Sequence, residues 1–164
     1  EHAGDQVRVT LLLKGGGSEN VGTQYSLPDN ELGAGRDLAG VRRCVLDAVH
    51  RAQGKGCSPG ILGVAIGGDR ATGYVASKEQ FLRRIGERSP DPKLAAFEER
   101  VLAEANSLGI GPMGFGGRTT LLEVFATALN RVPASYFVTI SYMCWAFRRR
   151  SVTASLAGEA LGWE

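Results

Sequence analysis

The sequence predicts a mixed α/β (α+β) domain: a small buried sheet with surrounding helices and glycine-rich loops at strand ends. Three observations carry this. Short apolar runs of strand composition alternate with longer segments of helical periodicity. Glycine gathers where the apolar runs stop, in "KGGGSENVG", "GKGCSPG" and "GIGPMGFGG". A chain of 164 residues that is 43% hydrophobic can bury one core without metal or disulfide staples, so residues 1–164 are expected to form a single domain.

Each element has its own reason. Residues 6–14, "QVRVTLLLK", have the β-branched and apolar content of a strand, and 15–35 read as a loop rich in Gly, Asn, Asp and Pro. Asp37 caps a helix running to residue 53, with Leu38, Val41, Val45, Val49 and Ala52 at helical spacing. Residues 61–68, "ILGVAIGG", suit a strand buried on both faces. Ser77 and Gln80 form a capping-box pattern that predicts a helix over 77–88. After the break at "SPDPK", residues 94–108 place Leu94, Phe97, Val101, Leu102, Ala105 and Leu108 on one helical stripe. "RTTLLEVFATALN" balances strand against helix, whereas "ASYFVTISYMCW" reads as a strand.

Charge excludes some partners. Nineteen Lys and Arg against seventeen Asp and Glu leave +2, and the one tight cationic cluster, Arg148 to Arg150, reads as a solvated end, so no nucleic acid is expected. No apolar run approaches the ~20 residues a membrane span needs, and the first residues lack a signal-peptide pattern. A cytoplasmic protein without membrane contact is the expectation.

Two glycine motifs fail on context. "GIGPMG" has the letters of a dinucleotide fingerprint, but a helix rather than a strand leads into it. "PMGFGGRT" lacks both the first glycine and the lysine of a phosphate loop. Acyl transfer lacks a base, because the chain has two histidines: His2 at the terminus and His50 at the end of a helix, where it serves as a surface charge.

The three cysteines are an odd number at wide spacings, which suits reduced thiols or ligands. Cys44 lies inside a helix and reads as an inert core residue. Cys57 projects from the irregular loop "KGCSPG". Cys144, near the end of a strand, suits the core or a site equally. Should Cys57 and Cys144 converge beside the glycine loops, an iron–sulfur cluster is the anionic object they would suit. Zinc is the weaker fit, for want of a C-x-x-C pair or a nearby histidine.

Taken together, "KGGGSEN", "GCSPGILGVAIGGD", "LGIGPMGFGG" and "PASYFVTISYMCWAFRR" resemble the α part of the oxygen-sensitive, class I iron–sulfur fumarate hydratases and the related tartrate dehydratases. The resemblance runs in the same order over essentially the whole chain. It implies a hydro-lyase that reversibly hydrates fumarate to malate, or dehydrates a related 2-hydroxy-dicarboxylate such as tartrate, through a [4Fe-4S] cluster with one open iron. The open iron would act as a Lewis acid on the substrate hydroxyl while a base removes the proton α to the carboxylate.

Carried over by position, the resemblance makes Cys57 and Cys144 the family's second and third cluster ligands. It sets Gly17 against the bound dicarboxylate, where a side chain would occupy the substrate's space. Gly15, Gly16, Ser18 and Asn20 would shape the same loop, and Arg118 would pair with a carboxylate or serve the surface. Parts of the pattern have no match. The first cluster cysteine lies upstream of "KGGGSEN", the histidine that some relatives carry falls at Val132, and the β part with its basic residues and threonine is absent.

The chain is therefore expected to be a C-terminal portion of an α subunit or α domain, inactive alone. A β subunit or β domain would complete it, in a homodimer or α2β2 assembly, with a small dicarboxylate as substrate. The alternative from another class is a cluster-free, non-catalytic binding or interaction domain that retains the fold. A zinc-dependent lyase using the same thiols comes third.

Overall fold

The computed structural model describes residues 4–163, so His2 lies outside the described residues. Within them the chain divides into two compact units, one from residues up to 14 together with 146 onward, the other Gly15–Trp145.

The smaller unit is a three-stranded antiparallel sheet, β1 (Gln6–Leu13), β6 (Arg148–Ser155) and β7 (Ala160–Trp163), in the order β1-β6-β7. The expected first strand is present. Arg148 to Arg150, expected as a solvated end, form the start of β6 instead, paired with Leu13, Leu12 and Leu11. Their charge does not prevent this, because Arg148 and Arg150 direct their side chains into solvent.

The larger unit is built on a four-stranded sheet of order β2-β5-β3-β4, where β2 is Thr23–Ser26, β3 Gly60–Ile66, β4 Leu121–Ala128 and β5 Phe137–Cys144. β3 runs parallel to β4 and antiparallel to β5. Every residue of β3 is buried, which accounts for its unbroken apolar run. Helix α2 (Leu38–Ala52) starts at Asp37, whose Oδ1 accepts from the Gly40 amide at 2.7 Å, as the capping pattern predicts. It packs on α4 (Pro92–Ser107) and, with Leu62, Val64, Val124, Ile140 and Tyr142 of the sheet, closes the main core.

Two expectations are corrected. The stretch 15–35 is not all loop, because it holds the single-turn helix α1 (Gly16–Asn20) and β2. The helix placed at 77–88 instead ends there: α3 is Arg70–Glu79, and its capping box belongs to Asp69 and Thr72. Ser77 caps nothing. It is buried, donates to the Tyr74 carbonyl, and shares a hydrogen bond with Ser141 at 2.8 Å that joins α3 to β5.

The ambiguous segment near 118–130 is a strand because α4 stitches its outer edge. Asn106 Oδ1 accepts from the Thr120 and Leu121 amides, and the fully buried Glu98 accepts from the Ala126 amide at 2.8 Å. Glu98 is neutralised by Arg83 at 2.6 Å, whose guanidinium also stacks over the Phe125 ring. An edge strand with its polar groups engaged this way offers no free template for further pairing.

Candidate functional site

The glycine loops meet at one end of the four-stranded sheet. A short 3-10 turn, Gln53–Gly56, follows α2 and delivers Cys57, which takes left-handed backbone angles (φ 58). A residue with a Cβ holds that conformation at a cost of about 1–3 kcal/mol, and such positions gather at functional sites. The loop 109–117 lies directly against this turn. Ser58, fully buried, donates from Oγ to the Gly111 carbonyl at 2.6 Å, and the Met113 amide donates to the Ser58 carbonyl at 2.9 Å. A Cβ on Gly54 would overlap the Met113 carbonyl, so the two loops touch backbone to backbone.

Cys144 reaches the same end from another strand. It is the direct cross-strand partner of Gly60, three residues after Cys57. Gly60 donates its amide to the Thr120 carbonyl at 3.0 Å, and the β3–β4 register shifts at this point, so a bulge marks the site end of the sheet. Cys57 and Cys144 are free, half-buried thiols, whereas Cys44 is fully buried in the core, as its helical setting predicts. Burial, with Asp29 and Asp47 nearby, pushes the Cys44 thiol up to about 12.

Tyr142 packs against Gly56 and Gly60, the glycines on either side of the Cys57 loop. A Cβ on Gly60 or on Gly56 would run into its ring, so both glycines are required for the tyrosine to fit. Its hydroxyl is buried and makes no hydrogen bond to any described residue. Burial first, with smaller contributions from Cys57 and Cys144 nearby, pushes the phenol well above its usual range.

The glycine triplet enters through α1. This helix packs against the 53–56 turn, where a Cβ on Gly17 would stand 3.4 Å from the Lys55 carbonyl. Above Gly16 no protein atom lies within 4 Å, and Gly15, Gly16 and Gly17 are exposed. Ser18 is buried, with its hydroxyl donated to the Gly15 carbonyl at 2.8 Å. Asn20 lines an open cleft of about 280 Å³ together with Arg51 and Lys55. Arg51 is held by Asp47 at 2.7 Å. Arg118 is exposed and borders the Thr119–Thr120 segment that leads to Gly60.

The fold thus brings Cys57, Cys144, the α1 glycines and the approach of Arg118 to the same flank of the sheet, and leaves His50 exposed on the last turn of α2. Among the described residues, no three His, Cys, Asp or Glu side chains converge as a metal-binding group. Tyr142, Ser58 and Gly60 were not singled out by sequence reasoning. The available signal was the two-residue offset that puts Tyr142 on the same strand face as Cys144.

The decisive comparison is with a family model. The model described as Fumarate hydratase (Fumerase) matches residues 1–153. The chain belongs to that family. It is 52% identical over 163 residues to a Geobacillus stearothermophilus protein bearing the name fumarate hydratase class I, covering 97% of this chain and 32% of that one. It is 37% identical over 144 residues to a Methanocaldococcus jannaschii protein bearing the name L(+)-tartrate dehydratase subunit alpha (88% and 49% covered). The Escherichia coli K12 L(+)-tartrate dehydratase subunit alpha is 32% identical over 145 residues (88% and 46% covered). Within the family, then, the chain spans about a third to a half of the length of these relatives. No helix among the described residues is long and apolar enough to cross a membrane.

Proposed function

We propose that this chain is part of the α region of an iron–sulfur hydro-lyase that hydrates fumarate reversibly to malate or dehydrates a related 2-hydroxy-dicarboxylate such as tartrate. The names borne by its relatives support both substrates. In this reading Cys57 and Cys144 supply two of the thiolates of a [4Fe-4S] cluster, and a third comes from outside these residues. The donor set fits such a group: two soft, half-buried thiols on glycine-rich backbone, beside a buried hydroxyl with no partner among the described residues. When bound, the cluster supplies an open iron acting as a Lewis acid.

The residues of this chain have simpler tasks. Cys57 and Cys144 hold the group at the end of the sheet. In this reading Gly16 and Gly17 border a carboxylate-bearing substrate, with open space over Gly16 and the Lys55 carbonyl 3.4 Å from a Cβ on Gly17, and Ser18 fixes the start of α1 from within. Asn20 offers an amide to the same side, and Arg118 a planar fork for a carboxylate. A β subunit or β domain supplies the remaining acid, base and cationic groups, consistent with relatives whose names specify a subunit alpha. The cytoplasm, with its reducing thiol pool, is the proposed setting.

One observation carries this proposal: Cys57 and Cys144, 87 positions apart in the chain, come to one glycine-lined sheet end, where Gly60, three residues after Cys57, pairs directly with Cys144. The test is anaerobic reconstitution of the full-length protein with iron and sulfide, followed by iron counting and kinetics on fumarate, malate and tartrate. Stoichiometric iron lost in Cys57→Ser and Cys144→Ser, with turnover of one dicarboxylate, is expected. A full-length protein that takes up no iron is a cluster-free binding domain, and zinc in place of iron marks a zinc lyase; either result ends the iron–sulfur reading.

A further inference from the structure

Among the described residues, Tyr142 Oη is the buried side-chain polar atom left without a hydrogen-bond partner, on a residue only 3% exposed. Buried hydroxyls are nearly always bonded, and each exception asks what completes it. The other tyrosine of this core follows the rule: Tyr25 donates to Asp47 at 2.8 Å.

The surroundings of Tyr142 point to the missing acceptor. Tyr142 stands two residues before Cys144 on β5 and therefore on the same strand face. Its Cζ, Cε1 and Oη occupy the volume a Gly60 side chain would fill, and its Cδ1 and Cε1 that of a Gly56 side chain. Gly60 pairs with Cys144, and Gly56 immediately precedes Cys57. The two glycines are thus what admits the phenol tip beside the backbone that carries the two cysteines.

We propose that Tyr142 is a positioning residue whose Oη–H donates to a sulfur of the iron–sulfur group held by Cys57 and Cys144, a hydrogen bond made only when that group is bound. The inference rests on the hydro-lyase reading. A phenol is protonated at neutral pH and can donate, while thiolate and sulfide sulfurs are acceptors. Hydrogen bonds to cluster sulfurs raise the reduction potential and steady the ligands. One hydroxyl therefore acts with opposite signs: unbonded and destabilising in the apo protein, bonded and stabilising in the loaded one.

The experiment uses full-length wild type, Tyr142→Phe and, for comparison, Tyr25→Phe, each melted as apo protein and then reconstituted anaerobically with iron and sulfide. Apo Tyr142→Phe is expected to melt roughly 2–4 °C above wild type, because it removes an unsatisfied buried hydroxyl. Once loaded, it should show a lower reduction potential and release iron to a chelator roughly tenfold faster. Tyr25→Phe should lower the apo melting temperature and leave the potential unchanged. A loaded Tyr142→Phe with the wild-type potential and release rate overturns the role of Tyr142 alone, as does an apo melt that falls. Wild type that binds no iron overturns the hydro-lyase reading and this inference together.

Discussion

Gly60 and Cys144 face each other across the β3–β5 ladder, and the space a side chain on Gly60 would need is already filled by the ring of Tyr142. The relationship fixes three residues at once. Neither the strand pairing nor the cysteine position can change without moving the tyrosine.

Gly60→Ala should therefore destabilise the fold by about 1–3 kcal/mol, the usual cost of forcing extra volume into a packed interior. In a Tyr142→Leu background the penalty of the same alanine should shrink, because the obstructing ring is gone. Urea unfolding of the four members of this cycle measures the coupling. Equal penalties in both backgrounds would mean that the ring is not what excludes a side chain.

Gly17→Ala separates a folding role from a substrate role. The position lies in α1, where alanine is favoured over glycine by roughly 0.5–1 kcal/mol, and the Lys55 carbonyl at 3.4 Å leaves a methyl group barely tolerated room. Stability should hold or rise. On the proposed hydro-lyase reading, KM of the full-length protein for the dicarboxylate should increase about tenfold, equivalent to roughly 1.4 kcal/mol of lost binding. An unchanged KM removes Gly17 from the substrate's path.

Cys44 gives a pH dependence whose sign follows from its burial. Its thiol is pushed up to about 12 in the folded chain, from an ordinary value near 9.0. Below the ordinary value both states keep the proton and the full stability is present. Between about pH 9 and 12 the unfolded chain loses the proton while the folded chain keeps it, so stability falls by about 1.4 kcal/mol per pH unit. Cys44→Ala lacks this component, so its stability deficit relative to wild type should narrow as pH rises from 8 to 11. A constant deficit in denaturant titrations across that range would contradict the assignment.

Arg83→Met tests the ion pair that supports the edge of the sheet. Glu98 is fully buried and Arg83 contacts it at 2.6 Å, so removing the arginine strands a charge in the core. A loss of about 3–5 kcal/mol is expected on urea unfolding. Arg83→Met with Glu98→Met should recover a large part of it, because no charge is then left uncompensated. If the double variant is less stable than Arg83→Met, the Ala126 and Ser89 amides that Glu98 also accepts from carry the stability instead.

The elements legible in the sequence share one physical property: their signal is local. Asp37 caps α2 through an amide three residues away, and β3 is apolar throughout because both its faces are covered. The four glycine and cysteine fragments carried the family in the same way, since each is a contiguous string. The misreadings have the same origin. Ser77 and Gln80 match a capping pattern, but Asp69 and Thr72 made the real one eight residues earlier, and Ser77 is taken by Ser141 from another strand. β4 stayed ambiguous because Asn106 and Glu98, which hold its edge, lie on a different element.

By itself, then, the sequence determined the mixed fold, the family and the inert burial of Cys44, all of which depend on neighbours along the chain. Only the tertiary structure decided that Gly60 faces Cys144, that Ser58 ties the cysteine loop to the 109–117 loop, and that the Tyr142 hydroxyl is buried without a partner among the described residues. Strand register and backbone-to-backbone approach join residues 53 to 84 positions apart in these cases, and no local pattern encodes a distance across that much chain.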